Sequence, residues 1–159
     1  MSEDLTEAVP MTDEEAGLFQ DLLNLNLDDH KGYMTAANAL QNPEYATLFR
    51  EYAQERQQNA TELGELLQKH GHSVDKTGTF AGMLHQGWIN LESLLTQGDA
   101  PIFGECERVD GLTLSAYQDV MGKITKEELM GLLRQQFTTI RNAYVRVKNL
   151  HSALEQTQK

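Results

Sequence analysis

"EYAQERQQNATEL", residues 51–63, decides how this chain is read. It holds no proline or glycine and consists mostly of strong helix formers. Its spacing also raises a chemical question. Metal-binding helical bundles carry Glu-x-x-His, which sets two ligands on one face of a helix. Here Glu55 is followed three positions later by Gln58. At about 100° per residue, Tyr45, Leu48, Phe49, Tyr52, Ala60, Leu63, Leu66 and Leu67 form one apolar face. Arg56 falls at the centre of that face and Asn59 near it, while Glu55 lies at its edge, Glu62 further round and Gln58 outside. The inward i, i+3 pair is therefore a guanidinium and an amide.

The punctuation around this stretch extends the helical reading in both directions. Asn42 as N-cap and Pro43 at the first helical position open the helix, predicted over 43–70 and stopped by Gly71. Upstream, Thr12 with Glu15 fits a capping box that opens a helix over 13–40. Downstream, "HGHSVDKTGT" is a loop, followed by a shorter helix over 79–96 that Gly98 closes. A helix over 100–121 has Pro101 in its first turn and ends at Gly122. Thr125 with Glu128 makes a second capping box and opens a helix over 126–156. No segment shows the alternation of a strand, so the fold class is all-α. Short joins make the first two long helices antiparallel, and the last two likewise. Between the pairs lies a crossover of roughly 28 residues, the connection that separates ferritin-like four-helix bundles from simple up-down-up-down ones.

The 159 residues carry 24 acidic and 13 basic side chains, a net charge of −11. That argues against nucleic acid and against an anionic membrane surface, both of which require basic patches. The charge is uneven. Residues 1–122 hold 21 acids and 6 bases, and residues 123–159 hold 3 acids and 7 bases. A basic last segment beside acidic ones suggests attraction between helices of one chain or between subunits. The lone Cys106 excludes an intrachain disulfide and fits a reducing compartment. No apolar run reaches the roughly 18 residues of a membrane span. Residues 1–11 read as a disordered acidic arm without the apolar core of a secretory signal, and residues 12–157 as a single helical domain. The expected setting is cytoplasmic.

Polar residues interrupt the other apolar faces at matching heights. The first helix presents Leu18, Leu22, Leu25, Tyr33, Ala36 and Leu40, with Asn26 and Asp29 among them. The third long helix presents Ile102, Phe103, Cys106, Val109, Tyr117 and Val120, with Asp110 and Thr113 inside the face. The last presents Leu129, Leu133, Phe137, Ile140, Tyr144, Val147 and Leu154, with Gln136 inside it. Counting from the turns brings Asp29, Arg56, Asn59, Asp110, Thr113 and Gln136 into one interior layer. A lone buried charge is unfavourable, so Arg56 is expected to pair with Asp29 or Asp110.

Four stretches, "GYMTAANAL", "LFREYAQERQQNATEL", "AGMLHQGWINLESLLTQGD" and "ECERVDGLTLSAYQD", together resemble a bacterial family of unknown function grouped with the ferritin-like proteins. The resemblance covers roughly residues 20–150. It implies a ferritin-like core and, by likeness to ferritin-like proteins, a stress-related role, but no settled activity. A ferritin-like di-metal centre takes one carboxylate from each of two helices and Glu-x-x-His from each of the other two. This chain departs from that pattern, with Arg56-x-x-Asn59 inward and no acid between residues 129 and 154. No conventional metal centre and no cofactor are expected. The alternative is an iron or manganese site displaced to Glu55, Glu62 or Glu107 with His30 or His85. His70 and His72 read as surface loop histidines. Tyr33, Tyr52, Tyr117 and Tyr144 read as core aromatics with tethered hydroxyls, and Cys106 as an inert buried thiol. The crossover helix carrying Trp88 is expected to cover the bundle's own flank or a partner's, with Gly87 beside Trp88 to allow close approach; a face shared between subunits makes the chain a homodimer, the expected assembly. No nucleophile elbow, phosphate-binding glycine loop or Cys-x-x-Cys pair is present. The expected function is therefore a non-enzymatic binding or structural one, with metal-dependent oxidase or iron-handling chemistry as the competitor.

Overall fold

The computed structural model describes residues 10–75 and 86–157. Its α-helices are α1 (Asp13–Ala39), α2 (Pro43–Lys69), α3 (Leu91–Leu94), α4 (Asp99–Met121) and α5 (Glu127–Thr157), with a 3-10 turn at Gln86–Trp88. No strand occurs among the described residues, and no helix there is long and apolar enough to cross a membrane.

Local chemistry sets most of the boundaries. The Thr12 hydroxyl accepts the Glu15 N–H at 3.1 Å, and the Glu15 carboxylate accepts the Thr12 N–H at 2.9 Å, closing the capping box of α1. Asn42 caps α2 by accepting the Glu44 N–H at 2.9 Å, one residue before Pro43. Gly71, at φ 81°, ends α2 in the left-handed conformation that a side chain would resist. The capping box expected at Thr125 and Glu128 is not formed. Glu128 turns instead to Lys69 and His70 at the end of α2, a pairing that holds the start of α5 there.

These tethers fix the topology. Asp99, in the first turn of α4, accepts the N–H groups of Gln41 and Asn42 at 2.8 and 3.1 Å. So α4 starts beside the α1–α2 turn and runs in the direction of α2. The apolar side chains gather in two clusters. One centres on Phe19, Leu22, Leu63 and Leu133, the other on Tyr33, Phe49, Ile102 and Val147. On α1, α2 and α4 the residues between the clusters are polar and buried.

Three expectations about faces need correction. In the first half of α1 Leu22 is buried as expected, but Phe19 and Leu23 are buried beside it while Leu18 and Leu25 are only half-buried; the aromatic ring takes an interior position. On α5 the small Ala143 faces inward, so Tyr144 is only half-buried, over Gly111 and beneath the Lys148 ammonium. The continuous helix expected over 79–96 is broken where it can be described. Residues 79–85 lie outside the described residues; beyond them come a 3-10 turn, an exposed Ile89 and the single turn of α3. The break lets both Trp88 and Leu91 turn toward the helices they cover.

Candidate functional site

The interior polar residues fall into two adjacent sets. The first is ionic. Arg56, with no exposed surface, directs Nη1 to Asp29 Oδ2 at 2.9 Å and Nη2 to Asp110 Oδ1 at 3.1 Å. The second contact is an ion pair without hydrogen-bond alignment. Asp29 also accepts the Thr113 hydroxyl at 2.7 Å and the Trp88 indole N–H at 3.0 Å. Asp110 accepts the Tyr33 hydroxyl at 2.6 Å. The guanidinium carbon lies 5.3 Å from the centre of the Tyr33 ring, a cation–π contact.

The second set is neutral and closes a ring. Asn59 donates to Asn26 at 3.2 Å, Asn26 to the Tyr117 hydroxyl at 2.8 Å, and Tyr117 to Gln136 at 2.7 Å. Gln136 completes the circuit by donating to the Asn59 carbonyl at 3.1 Å. The ring passes through α2, α1, α4 and α5 in turn. The six residues expected in one layer are thus all buried but divided: Asp29, Arg56, Asp110 and Thr113 in the ionic set, Asn59 and Gln136 in the amide ring.

Burial dominates the electrostatics. It raises the carboxyl pKa of both Asp29 and Asp110, against the opposing pull of Arg56. Asp110, which accepts fewer hydrogen bonds, is pushed up to about 6. Burial works to lower the Arg56 pKa, but Asp110 and Asp29 outweigh it and the guanidinium stays charged. Tyr33 is held well above its ordinary value by burial and then by Asp110, so its hydroxyl remains a donor. Burial likewise pushes up the Cys106 thiol, which leaves it unreactive. With both aspartates ionised, the set carries two negative charges and one positive.

Among the described residues the alternative metal ligands do not converge into one group. His30 donates Nδ1–H to the Ala53 carbonyl at 2.8 Å. Glu107 accepts from His151 at 2.8 Å. Glu62 accepts from Gln136 and Gln58, and shares an open groove with Glu55 that no histidine lines. His85 lies outside the described residues. His70 Nδ1 accepts the Met11 N–H, and His72 Nε2 donates to the Met11 carbonyl, so this pair tethers backbone. Among the described residues no three His, Cys, Asp or Glu side chains form a group that could hold a metal ion.

Of the two flanks open to Trp88, its own chain's or a partner's, it takes its own. It turns onto its own chain, edge-to-face with Tyr33 at 5.5 Å and flat against Gly32, where an added Cβ would lie 2.3 Å from the indole. The glycine that permits close approach is Gly32; at Gly87 an added Cβ would be in ordinary contact with Val109 at 3.8 Å. The tethered hydroxyls expected of Tyr33 and Tyr117 are present, but sequence reasoning did not name their partners, Asp110 for Tyr33 and Asn26 and Gln136 for Tyr117. It missed Glu105, which is buried and bonded to Arg108, whose Nη2 in turn reaches the Gly87 carbonyl at 2.7 Å. A carboxylate three residues before an arginine on one helix was the available signal.

A family model described as a domain of unknown function (DUF2383) matches residues 15–123, a span that includes α2, α3, α4 and nearly all of α1. The chain belongs to that family. No curated protein matches it.

Proposed function

We propose that this member of a domain family of unknown function is a ferritin-like four-helix bundle whose interior is filled by an ion-paired layer. On this reading it serves as a non-catalytic structural or binding protein. The helix order, the long connection between α2 and α4, and the parallel run of those two helices support the ferritin-like reading. The observation that carries the functional reading is the fully buried Arg56 guanidinium between Asp29 and Asp110. A di-metal centre needs convergent carboxylates and imidazoles around an open cation position. Here a fixed cation is already present, the two interior carboxylates are engaged by it and by Thr113, Trp88 and Tyr33, and α5 contributes the neutral Gln136. The residues present do not fit the metal group that the ferritin-like likeness implies.

Elemental analysis tests the proposal. Untagged protein, purified without chelators and then incubated with iron(II), manganese(II) or zinc(II), is expected to retain far less than one ion per chain after desalting. Near-stoichiometric metal that disappears on Glu55→Ala or Glu62→Ala would replace this reading with an iron- or manganese-handling protein using a displaced site.

A further inference from the structure

Among the described residues, α2 and α5 carry strips of opposite charge that form no ion pair with each other; Arg146 of α5 lies off the basic strip and lines a groove with Glu55. On α2, Glu44, Glu51 and Glu65 are exposed and Glu55 and Glu62 half-buried. At about 100° per residue, all five fall within a strip roughly 80° wide. On α5, Arg134, Arg141 and Lys148 are exposed and occupy a strip roughly 40° wide. The basic strip repeats every seven residues, about 10.5 Å along the helix axis; on the acidic strip Glu44 and Glu51, and Glu55 and Glu62, stand the same seven residues apart.

Within the chain these strips have little to hold. Arg134 pairs with Glu127 of its own helix, an exposed contact of the kind worth little in water. Lys148 lies over the Tyr144 ring, and Arg141 has no ion pair among the described residues. Among the same residues Glu44, Glu51, Glu55 and Glu65 have no ion pair either. Apolar surface accompanies the basic strip: Val145 is 46% exposed, and Phe137 and Tyr144 are half-buried along its flank.

We infer that this strip of α5 is a docking surface for a second copy of the chain, which lays the acidic strip of its α2 along it. Charge complementarity selects the occupant. The same chain displays both signs, with seven-residue spacings available on each strip, on helices long enough to align more than one pair. The interface is distinct from the Trp88 flank, which the chain covers itself.

Reversing charges separates this contact from general electrostatics. The variant Glu51→Lys/Glu55→Lys/Glu65→Lys adds two charges at each of three positions and takes −11 to −5; Arg134→Glu/Arg141→Glu/Lys148→Glu takes it to −17. In sedimentation velocity over a concentration series, the wild type is expected to form dimers or larger species. Each variant alone is expected to associate at least ~100-fold more weakly, and an equimolar mixture of the two to recover association, because each then meets the opposite sign. Net charge alone predicts another order, with the −5 variant associating best. A monomeric wild type, a −5 variant that associates as well as the wild type, or a mixture that stays monomeric overturns the inference. Should either triple variant lose its helical circular dichroism, the single reversals Glu51→Lys and Arg141→Glu carry the same mixing test.

Discussion

The ionic set and the amide ring lie about one helical turn apart on α1 and α2, yet they solve the same problem differently. Asp29, Arg56 and Asp110 join α1, α2 and α4, with Trp88 reaching in from the crossover, and leave α5 out. Asn26, Asn59, Tyr117 and Gln136 join all four long helices through neutral groups. A neutral ring keeps its donors and acceptors over the whole physiological pH range. An ionic set concentrates more interaction on fewer helices, but its strength follows protonation and it is exposed to the loss of one member. The ring is therefore suited to fixing the register of the four helices, and the ionic set to making one arrangement of α1, α2 and α4 far better than its alternatives. The register role of such buried polar groups is itself a hypothesis for any given protein.

Removing the shared cation breaks this comparison most sharply. Arg56→Met leaves two buried carboxylates facing each other without compensation. It is expected to lower stability by about 3–5 kcal/mol, the range for breaking a buried ion pair from one side. Urea unfolding at neutral pH measures it. Adding Asp29→Asn and Asp110→Asn to the same chain should recover part of the loss, because the uncompensated charges are then gone. A loss no larger than that of an ordinary surface substitution would mean that Arg56 is not the centre of the layer.

Acidity gives the next largest effect, and its direction is opposite to ordinary acid denaturation. Asp110 titrates near 6 when folded, against 3.8 in an open chain. A raised carboxyl pKa means that the folded state binds the proton more tightly. The contribution is fully present below the open-chain value and is lost as pH rises through about 6. Burial raises Asp29 in the same sense. The shift of Asp110 corresponds to at most ~3 kcal/mol over the whole interval from below 3.8 to above about 6. Urea midpoints measured across that interval should fall more steeply with rising pH for the wild type than for Asp110→Asn. Taking the difference between the two chains removes the surface carboxylates they share. Parallel slopes would show that Asp110 has the same proton affinity folded and unfolded.

Legibility followed the range of the interaction. Asp29, Arg56 and Asp110 could be placed because each is a charge inside a helical apolar face, a contradiction that periodicity exposes within a few residues. The sequence also carried Asn26 within such a face, but nothing local said that its partners are Asn59 and the Tyr117 hydroxyl. Trp88 and Gly32 are 56 positions apart, and a mid-helix glycine gives no sign of the ring that will rest on it. Thr125 and Glu128 show the reverse case. Their spacing is a capping box, but Lys69 and His70 sit close enough in the fold to compete for the carboxylate. The split of one expected layer into two arose from the same cause. Helical counting fixes height to about a turn, and which neighbours bond within that turn depends on side-chain reach.

The smallest expected effect belongs to the amide ring, and it sharpens the contrast. Tyr117→Phe keeps the aromatic ring and nearly all of its volume but deletes one hydroxyl that accepts from Asn26 and donates to Gln136. Asn26 Nδ2 still has the Leu22 carbonyl at 2.8 Å, while the Gln136 side-chain oxygen is left without its donor. One buried acceptor unsatisfied corresponds to a loss of about 1–2 kcal/mol. Burial holds the Tyr117 hydroxyl well above its ordinary pKa, so it does not ionise in the range tested, and the loss should be the same at weakly acidic and neutral pH. A pH-independent deficit smaller than that of Arg56→Met would support the division of labour between the two sets. A deficit equal to or larger than that of Arg56→Met would reverse it, because four helices tied by neutral bonds would then matter more to the fold than the guanidinium at its centre.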